Sequence, residues 1–181
     1  DDFVNSLKGT IYHKFLMMFE KSLEGKNFFL GEMILDLAYF EIFYRNIQGV
    51  GLHDSKLINE IQGTNADLLN VQWIYRGLKY YNFSREILFN YTIPHGYRLK
   101  IKDIRELCYS KDVDDIKSKI ENTRYGFLFN GESDTDILME RRALRYQYFH
   151  IISLRKKHEM DITEAVAFDM LLEYEIRDII S

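Results

Sequence analysis

Apolar residues recur along this chain at three- and four-residue intervals, the pattern of helices that each turn one face to a core. Ile11, Tyr12, Phe15, Met18, Phe19 and Leu23 form a first stripe, closed by Gly25. A second helix is expected from near Gly31, with Met33, Leu37, Phe40, Phe43, Tyr44 and Ile47 inward and Gly49-Val50-Gly51 as its stop. Asp54 or Ser55 is the expected cap of a short helix holding Leu57, Ile58 and Ile61. A separate helix starting at Thr64 or Asn65 carries Leu68, Val71, Ile74, Tyr75, Leu78 and Tyr81 on one face, with Trp73 and Arg76 turned elsewhere.

Downstream, Ser84 is the expected cap of a short helix with Ile87, Leu88 and Tyr91. The loop Thr92-Ile93-Pro94-His95-Gly96-Tyr97 follows, and then a helix with Ile101, Ile104, Leu107 and Cys108. Ser110 is read as the cap of the next helix, bearing Val113, Ile116 and Ile120, with Tyr125-Gly126 as its end. Asn130-Gly131-Glu132-Ser133-Asp134 reads as a loop. A helix is expected from about Asp136 to Lys157. A last one starts at Thr163 and places Ala165, Phe168, Leu172, Ile176 and Ile179 on one face.

One detail of this pattern points beyond packing. At a hundred degrees per residue, Asp67 and Asn70 fall inside the apolar stripe of their helix. Buried polar groups need hydrogen-bond partners or they cost stability. Two readings follow: an internal clasp that sets helix register, which is the bland and favoured one, or a contact to a neighbouring protein of an assembly.

Composition agrees with helix. One proline and ten glycines among 181 residues leave few obligatory breaks, and the 46% hydrophobic content is ample for a core. Thirteen Tyr and thirteen Phe suit thick interhelical packing. A net charge of -4 argues against a nucleic-acid stacking platform, which needs a basic surface. A single cysteine, Cys108, allows no internal disulfide, and a cytosolic chain is expected. No run of about 18 apolar residues is present, so membrane association is expected to pass through a partner. The start at Asp1 and an apolar pattern still running at Ser181 lead to the expectation of a piece of a longer protein.

Candidate chemistry is sparse. His13, His53, His95, His150 and His158 contain no i, i+4 pair, so neither a metal nor a cofactor is expected. Asp112, Asp114 and Asp115 follow a cap and suit a helix N-terminus better than an acid pair. No catalytic residues are assigned. Arg141, Arg142 and Arg145, with Arg155-Lys156-Lys157, are the one concentrated basic feature, read as a solvated face or as a contact for an acidic partner. Cys108 reads as core.

An internal repeat is expected. Tyr39-Phe40 and Tyr148-Phe149 each lie on a long helix, and each is followed, after a connector, by a helix with an arginine at the end of its stripe, Arg76 and Arg177.

The stretch Asp67-Leu68-Leu69-Asn70, followed by Arg76 and Lys79, then the turn Pro94-His95-Gly96-Tyr97, the stop Thr123-Arg124-Tyr125-Gly126 and the segment Glu173-Tyr174-Glu175-Ile176-Arg177, taken in that order, resembles a known family. It is similar to the C subunits of bacterial and archaeal V/A-type ATPases, whose eukaryotic counterpart is the d subunit. The resemblance covers nearly the whole chain; each motif is short, and their order carries it. It implies an all-α fold of repeated helical units, here two of three around a pseudo-threefold funnel: residues 1–83 as the second unit and 84–181 as a truncated third. The family-motif positions are Asp67, Asn70, Arg76, Pro94, Gly96, Tyr97, Glu175 and Arg177.

The function implied is that of a non-catalytic socket between a membrane rotor ring and the central stalk, passing torque on the cytoplasmic side of the membrane. No cofactor and no nucleic acid are implied. A generic helical adaptor, in which the ordered motifs are accidental, and a small hydrolase with a site assembled in space are the competing readings.

Overall fold

Favouring helix almost everywhere, the sequence folds into helix almost everywhere. The computed structural model describes residues 5–22, 28–130, 136–157 and 162–180. Its elements are α1 (Ile11–Ser22), α2 (Phe28–Asn46), α3 (Leu52–Lys79), α4 (Arg85–Asn90), α5 (Ile101–Cys108), α6 (Val113–Glu121), α7 (Asp136–Lys157) and α8 (Ile162–Ile180), with 3-10 turns at Ile47–Gly49 and Gly126–Phe129. No strand occurs among the described residues. The expected all-α class is what is found.

The axis of the fold is α3, and here the structure corrects the sequence. Two helices were expected, with a break at Thr64 or Asn65; the structure has one helix of 28 residues. Thr64 and Asn65, either of which was the expected start of a new helix, both lie inside it, as does Gly63. Thr64 turns its hydroxyl back to the Glu60 carbonyl at 2.6 Å, so it serves the ladder instead of ending it. More than half of α3 is buried, all the way round, which explains why no single stripe describes it.

Three apolar clusters share α3. Leu68, Val71, Ile74 and Tyr75 meet Leu88 of α4, Ile104 and Leu107 of α5, Ile116 and Ile120 of α6, and Met139 and Ala143 of α7. Trp73 and Ala66, on another side, pack with Phe29, Met33, Ile34 and Phe40 of α2 and with Ile93. Ile61 joins Ile151 and Leu154 of α7 to Ala167 and Met170 of α8. The first cluster draws on residues from both sides of position 83.

Smaller corrections follow from capping and contact geometry. Helix α2 begins at Phe28, before Gly31, which is itself buried. Ser84 caps α4 as expected, accepting from the Ile87 N–H. The cap of α6 is Asp112, not Ser110: its carboxylate accepts the N–H groups of Asp114 and Asp115, while the Ser110 hydroxyl is held by Lys119 Nζ at 2.9 Å. Helix α6 stops at Glu121, ahead of Tyr125-Gly126, and a Cβ on Gly126 would collide with the Glu121 carbonyl oxygen. Helix α7 has the expected bounds.

The largest correction concerns α8. Its expected inward stripe faces out: Phe168 is 70% exposed, and Leu172 and Ile176 are exposed too. The side that packs on α3 and α7 carries Val166, Ala167, Met170, Leu171 and Tyr174. A helix apolar on two sides has no unique inward stripe, and small Ala167 allows the closer approach. The aromatic pairs of the expected repeat also differ, Phe40 being buried and Phe149 exposed. Leu23, Gly25, His158 and the loop beyond Asn130 lie outside the described residues, as do the side chains of Ile11, Met18, Phe19, Arg177 and Ile179.

The orientation of α8 is testable by unfolding two variants in urea. Met170→Ala is expected to cost about 2–4 kcal/mol of stability, and Phe168→Ala to stay within about 0.5 kcal/mol. Equal losses would contradict the packing described.

Candidate functional site

Asp67, Asn70 and Gly63 lie four and three residues apart on α3, so they share one edge of the helix. The chain from Thr92 to Lys100 runs along that edge. Asn70 holds its beginning through a reciprocal pair: its amide donates to the Ile93 carbonyl at 2.8 Å, and its Oδ1 accepts the Ile93 N–H at 2.8 Å. Asp67 holds its end. Its carboxylate accepts the N–H of Arg98 at 2.7 Å and of Leu99 at 3.2 Å, and the Tyr125 hydroxyl at 2.7 Å. Asp67 and Asn70 are both 0% exposed.

Close approach of loop to helix requires glycine on both sides. The Gly63 carbonyl accepts the Tyr97 N–H at 3.1 Å, and a Cβ on Gly63 would come within 2.9 Å of that nitrogen. A Cβ on Gly96 would collide with Asp67 Oδ1 and with the Leu99 carbonyl. The glycine inside α3 therefore serves the clasp rather than ending the helix, at a propensity cost of about 1 kcal/mol. The loop is also braced from outside. Tyr44 of α2 donates to the His95 carbonyl at 3.0 Å and packs its ring on the imidazole, and Lys100 Nζ donates to the carbonyls of Gly96 and Tyr97.

Electrostatics at Asp67 are a contest. Burial pushes the carboxyl up to about 6, against the Arg98 N–H, the Tyr125 hydroxyl, the Leu99 N–H and the positive charge of Lys100, which all favour the ionised form. Tyr125 and Tyr44 are raised in turn, first by burial and then by the Asp67 charge. Cys108 sits in the core with burial pushing its thiol up to about 12, which leaves it unreactive. Burial also lowers His95 and His150. Among the described residues no three His, Cys, Asp or Glu side chains are grouped so as to hold a metal ion.

The structure thus brings Asp67, Asn70, Gly96 and Tyr97 into one arrangement, with exposed Pro94 in the same loop. Their internal hydrogen bonds are those of the clasp reading. Arg76 stands apart, paired with Glu140 of α7 at 3.2 Å, and Glu175 lies exposed on α8. The three arginines of α7 do not form one patch. Arg141 is exposed, Arg142 turns to donate to the Leu128 carbonyl at 3.0 Å, and Arg145 lies over the Phe149 ring. Gly63 is absent from the expected site, and Tyr125 and Tyr44, expected as a helix end and an inward residue, are not linked to Asp67 or its loop by anything in the sequence. For Gly63 the signal was present, a helix-disfavouring residue inside a strong helical pattern; the other two meet the site from more than fifty residues away, which local spacing does not reveal.

Residues 1–181 match the family described as the ATP synthase (C/AC39) subunit. The C subunit of the A-type ATP synthase of Methanobrevibacter smithii is 25% identical over 185 residues, 98% of this chain and 48% of that protein. The protein of the same name from Methanosphaera stadtmanae is 29% identical over 129 residues, 69% of this chain and 32% of that one. That of Methanothermobacter thermautotrophicus is 30% identical over 99 residues, 52% and 24% of the respective chains. The chain therefore spans about half the length, or less, of the curated relatives it matches. No solved structure matches it.

Two outcomes test the clasp. Asp67→Ala strands three donors and is expected to cost about 3 kcal/mol or more, with Asn70→Ala costing about 2 kcal/mol, by denaturant unfolding; an unchanged midpoint would contradict it. The pH dependence has a definite sign. An unfolded Asp titrates near 3.8 and the folded one at about 6, so between these values the folded protein holds the extra proton. The stability from this group is greatest below the lower value and is lost as pH rises through the upper one. The stability advantage of the wild type over Asp67→Asn is expected to narrow as pH rises from about 4 to about 6.

Proposed function

The chain belongs to the ATP synthase (C/AC39) subunit family, and from that premise we propose that it is a non-catalytic rotor element of an ion-translocating A/V-type ATPase. In this reading it forms part of a socket that joins the membrane rotor ring to the central stalk and passes torque between them. The family match over residues 1–181 is the observation that carries the proposal.

Several physical features support it. Torque transmission needs a body that does not yield, and α3 is gripped by three cores and by the clasped loop. The titratable groups shifted by burial are engaged in packing and internal hydrogen bonds instead of converging on a reactive point. No helix among the described residues is long and apolar enough to cross a membrane, which suits a peripheral position in the complex, on this reading at the cytoplasmic side. Residues 1–83 and 84–181 are then two related helical units, joined through the core that α3 shares with α4–α7.

Arg141 and Arg145 are carried forward as contact residues for an acidic neighbour. Arg142 also supports the Leu128 carbonyl, so reversing it would mix folding with binding. Light scattering on the protein mixed with the purified central-stalk proteins of its own complex tests the proposal. A stoichiometric complex is expected, weakened about tenfold or more by joint reversal of Arg141 and Arg145 to Glu. Failure of the well-folded protein to form any complex would overturn the rotor reading.

A further inference from the structure

The two oxygens of the buried Asp67 carboxylate are loaded unequally. Oδ2 accepts the Arg98 N–H at 2.7 Å, the Tyr125 hydroxyl at 2.7 Å and the Leu99 N–H at 3.3 Å, while Oδ1 shares that Leu99 N–H at 3.2 Å. The backbone partners are fixed in role, because an amide N–H gives a hydrogen and never accepts one. Tyr125 is different: a hydroxyl donates and accepts, and its hydrogen rotates. Of the groups that hold the carboxylate, it is the one able to receive a carboxyl that carries a proton.

A second hydroxyl continues the line. Thr64 stands three residues before Asp67 on α3, is 2% exposed, and is a hydrogen-bonding neighbour of the Tyr125 hydroxyl. Its own hydrogen is committed to the Glu60 carbonyl at 2.6 Å, which leaves its oxygen free to accept. A carboxyl and two hydroxyls thus form a chain that ends on a carbonyl of α3.

The groups that face this chain do not compete for the proton. Lys100 is the cation of the loop and favours the carboxylate. Tyr44 from α2 and Tyr125 from the segment ahead of the 3-10 turn are held neutral, raised first by burial and then by the Asp67 charge. Tyr146 of α7 stands edge-on to Tyr125, with ring centres 6.2 Å apart, and adds to the same effect.

We propose that Asp67 is a proton-binding site that fills and empties while the loop stays clasped. In the ionised form Tyr125 donates to Oδ2. In the acid form the proton sits on Oδ2 and is donated to the Tyr125 oxygen, and the Tyr125 hydrogen turns to the Thr64 oxygen. Oδ2 keeps a lone pair for the Arg98 N–H and Oδ1 keeps the Leu99 N–H, so no donor or acceptor is stranded and the heavy atoms stay in place. The proton comes from solvent, and the one covalent bond formed is the O–H of the acid. The loop, α3 and the 3-10 turn therefore remain tied on both sides of the titration, and what changes is the charge beneath the loop. The inference rests on the clasp and not on the rotor reading.

Nuclear magnetic resonance of the full chain with carbon-13-labelled aspartate tests it. The Asp67 carboxyl carbon is expected to titrate in one step near 6. Across that step, at about pH 4.5 and about pH 8, the amides of Ile93, Arg98 and Leu99 are expected to stay protected from exchange. Thr64→Val removes the acceptor that the acid form alone uses, and is expected to lower the midpoint by about half a pH unit or more. Tyr125→Phe removes a charge-assisted bond to the carboxylate and is expected to raise it, while Thr64→Ser leaves it unchanged. The proposal is overturned if the carbon does not titrate between about pH 4 and about pH 8, if the loop amides lose protection on the acid side, or if Thr64→Val leaves the midpoint in place or raises it. Should Thr64→Val fail to fold, the titration and the loop protection of the wild type decide between the two results.

Discussion

Asp67 must keep a carboxyl group fully buried in the core, and the segment from Thr92 to Lys100 is what makes that possible. Each half of this arrangement needs the other. Without the carboxylate, two backbone N–H groups and the Tyr125 hydroxyl lose their acceptor; without the loop, a buried acid loses its donors. Gly63 and Gly96 set the distance at which the two can meet. Through Tyr125 the same carboxylate reaches the 3-10 turn at Gly126–Phe129, so the loop, α3 and the turn before α7 are tied to one point.

Around that point, rigidity spreads by packing. Helix α3 contributes a different set of side chains to each of three cores, and the elements on either side of the loop meet across it. What this leaves on the outside is as informative as what it buries. The face of α8 with Phe168, Leu172 and Ile176 is an apolar surface that the fold leaves exposed. A body that is stiff inside and incomplete at its surface suits a component of a larger assembly.

Much of this was legible in the sequence, and the failures share a cause. The helical class, the bounds of α7, the Ser84 cap and the presence of a buried Asp67/Asn70 pair all follow from local spacing and side-chain chemistry. Local reasoning failed where a tertiary partner changes what a residue is for. Gly63-Thr64 has the composition of a break, yet the glycine makes room for Tyr97 and the threonine bonds within the helix. Ser110 has the chemistry of a cap, but Asp112 lies at the position from which a carboxylate reaches the first free N–H groups. On α8 the larger apolar residues suggested the inward face, and packing selected the face with Ala167 and Met170. The partners of Asp67 could not be read at all, since Arg98, Leu99 and Tyr125 are brought to it only by the completed fold.

Amide hydrogen exchange at Ile93, Arg98 and Leu99 is the most direct measurement of the central claim. If the loop is clasped to α3, these three N–H groups exchange only when the molecule unfolds, with protection free energies equal to those of the α3 core amides at Leu68 and Val71. Exchange at the rate of an open surface loop, while the α3 core stays protected, would contradict the account.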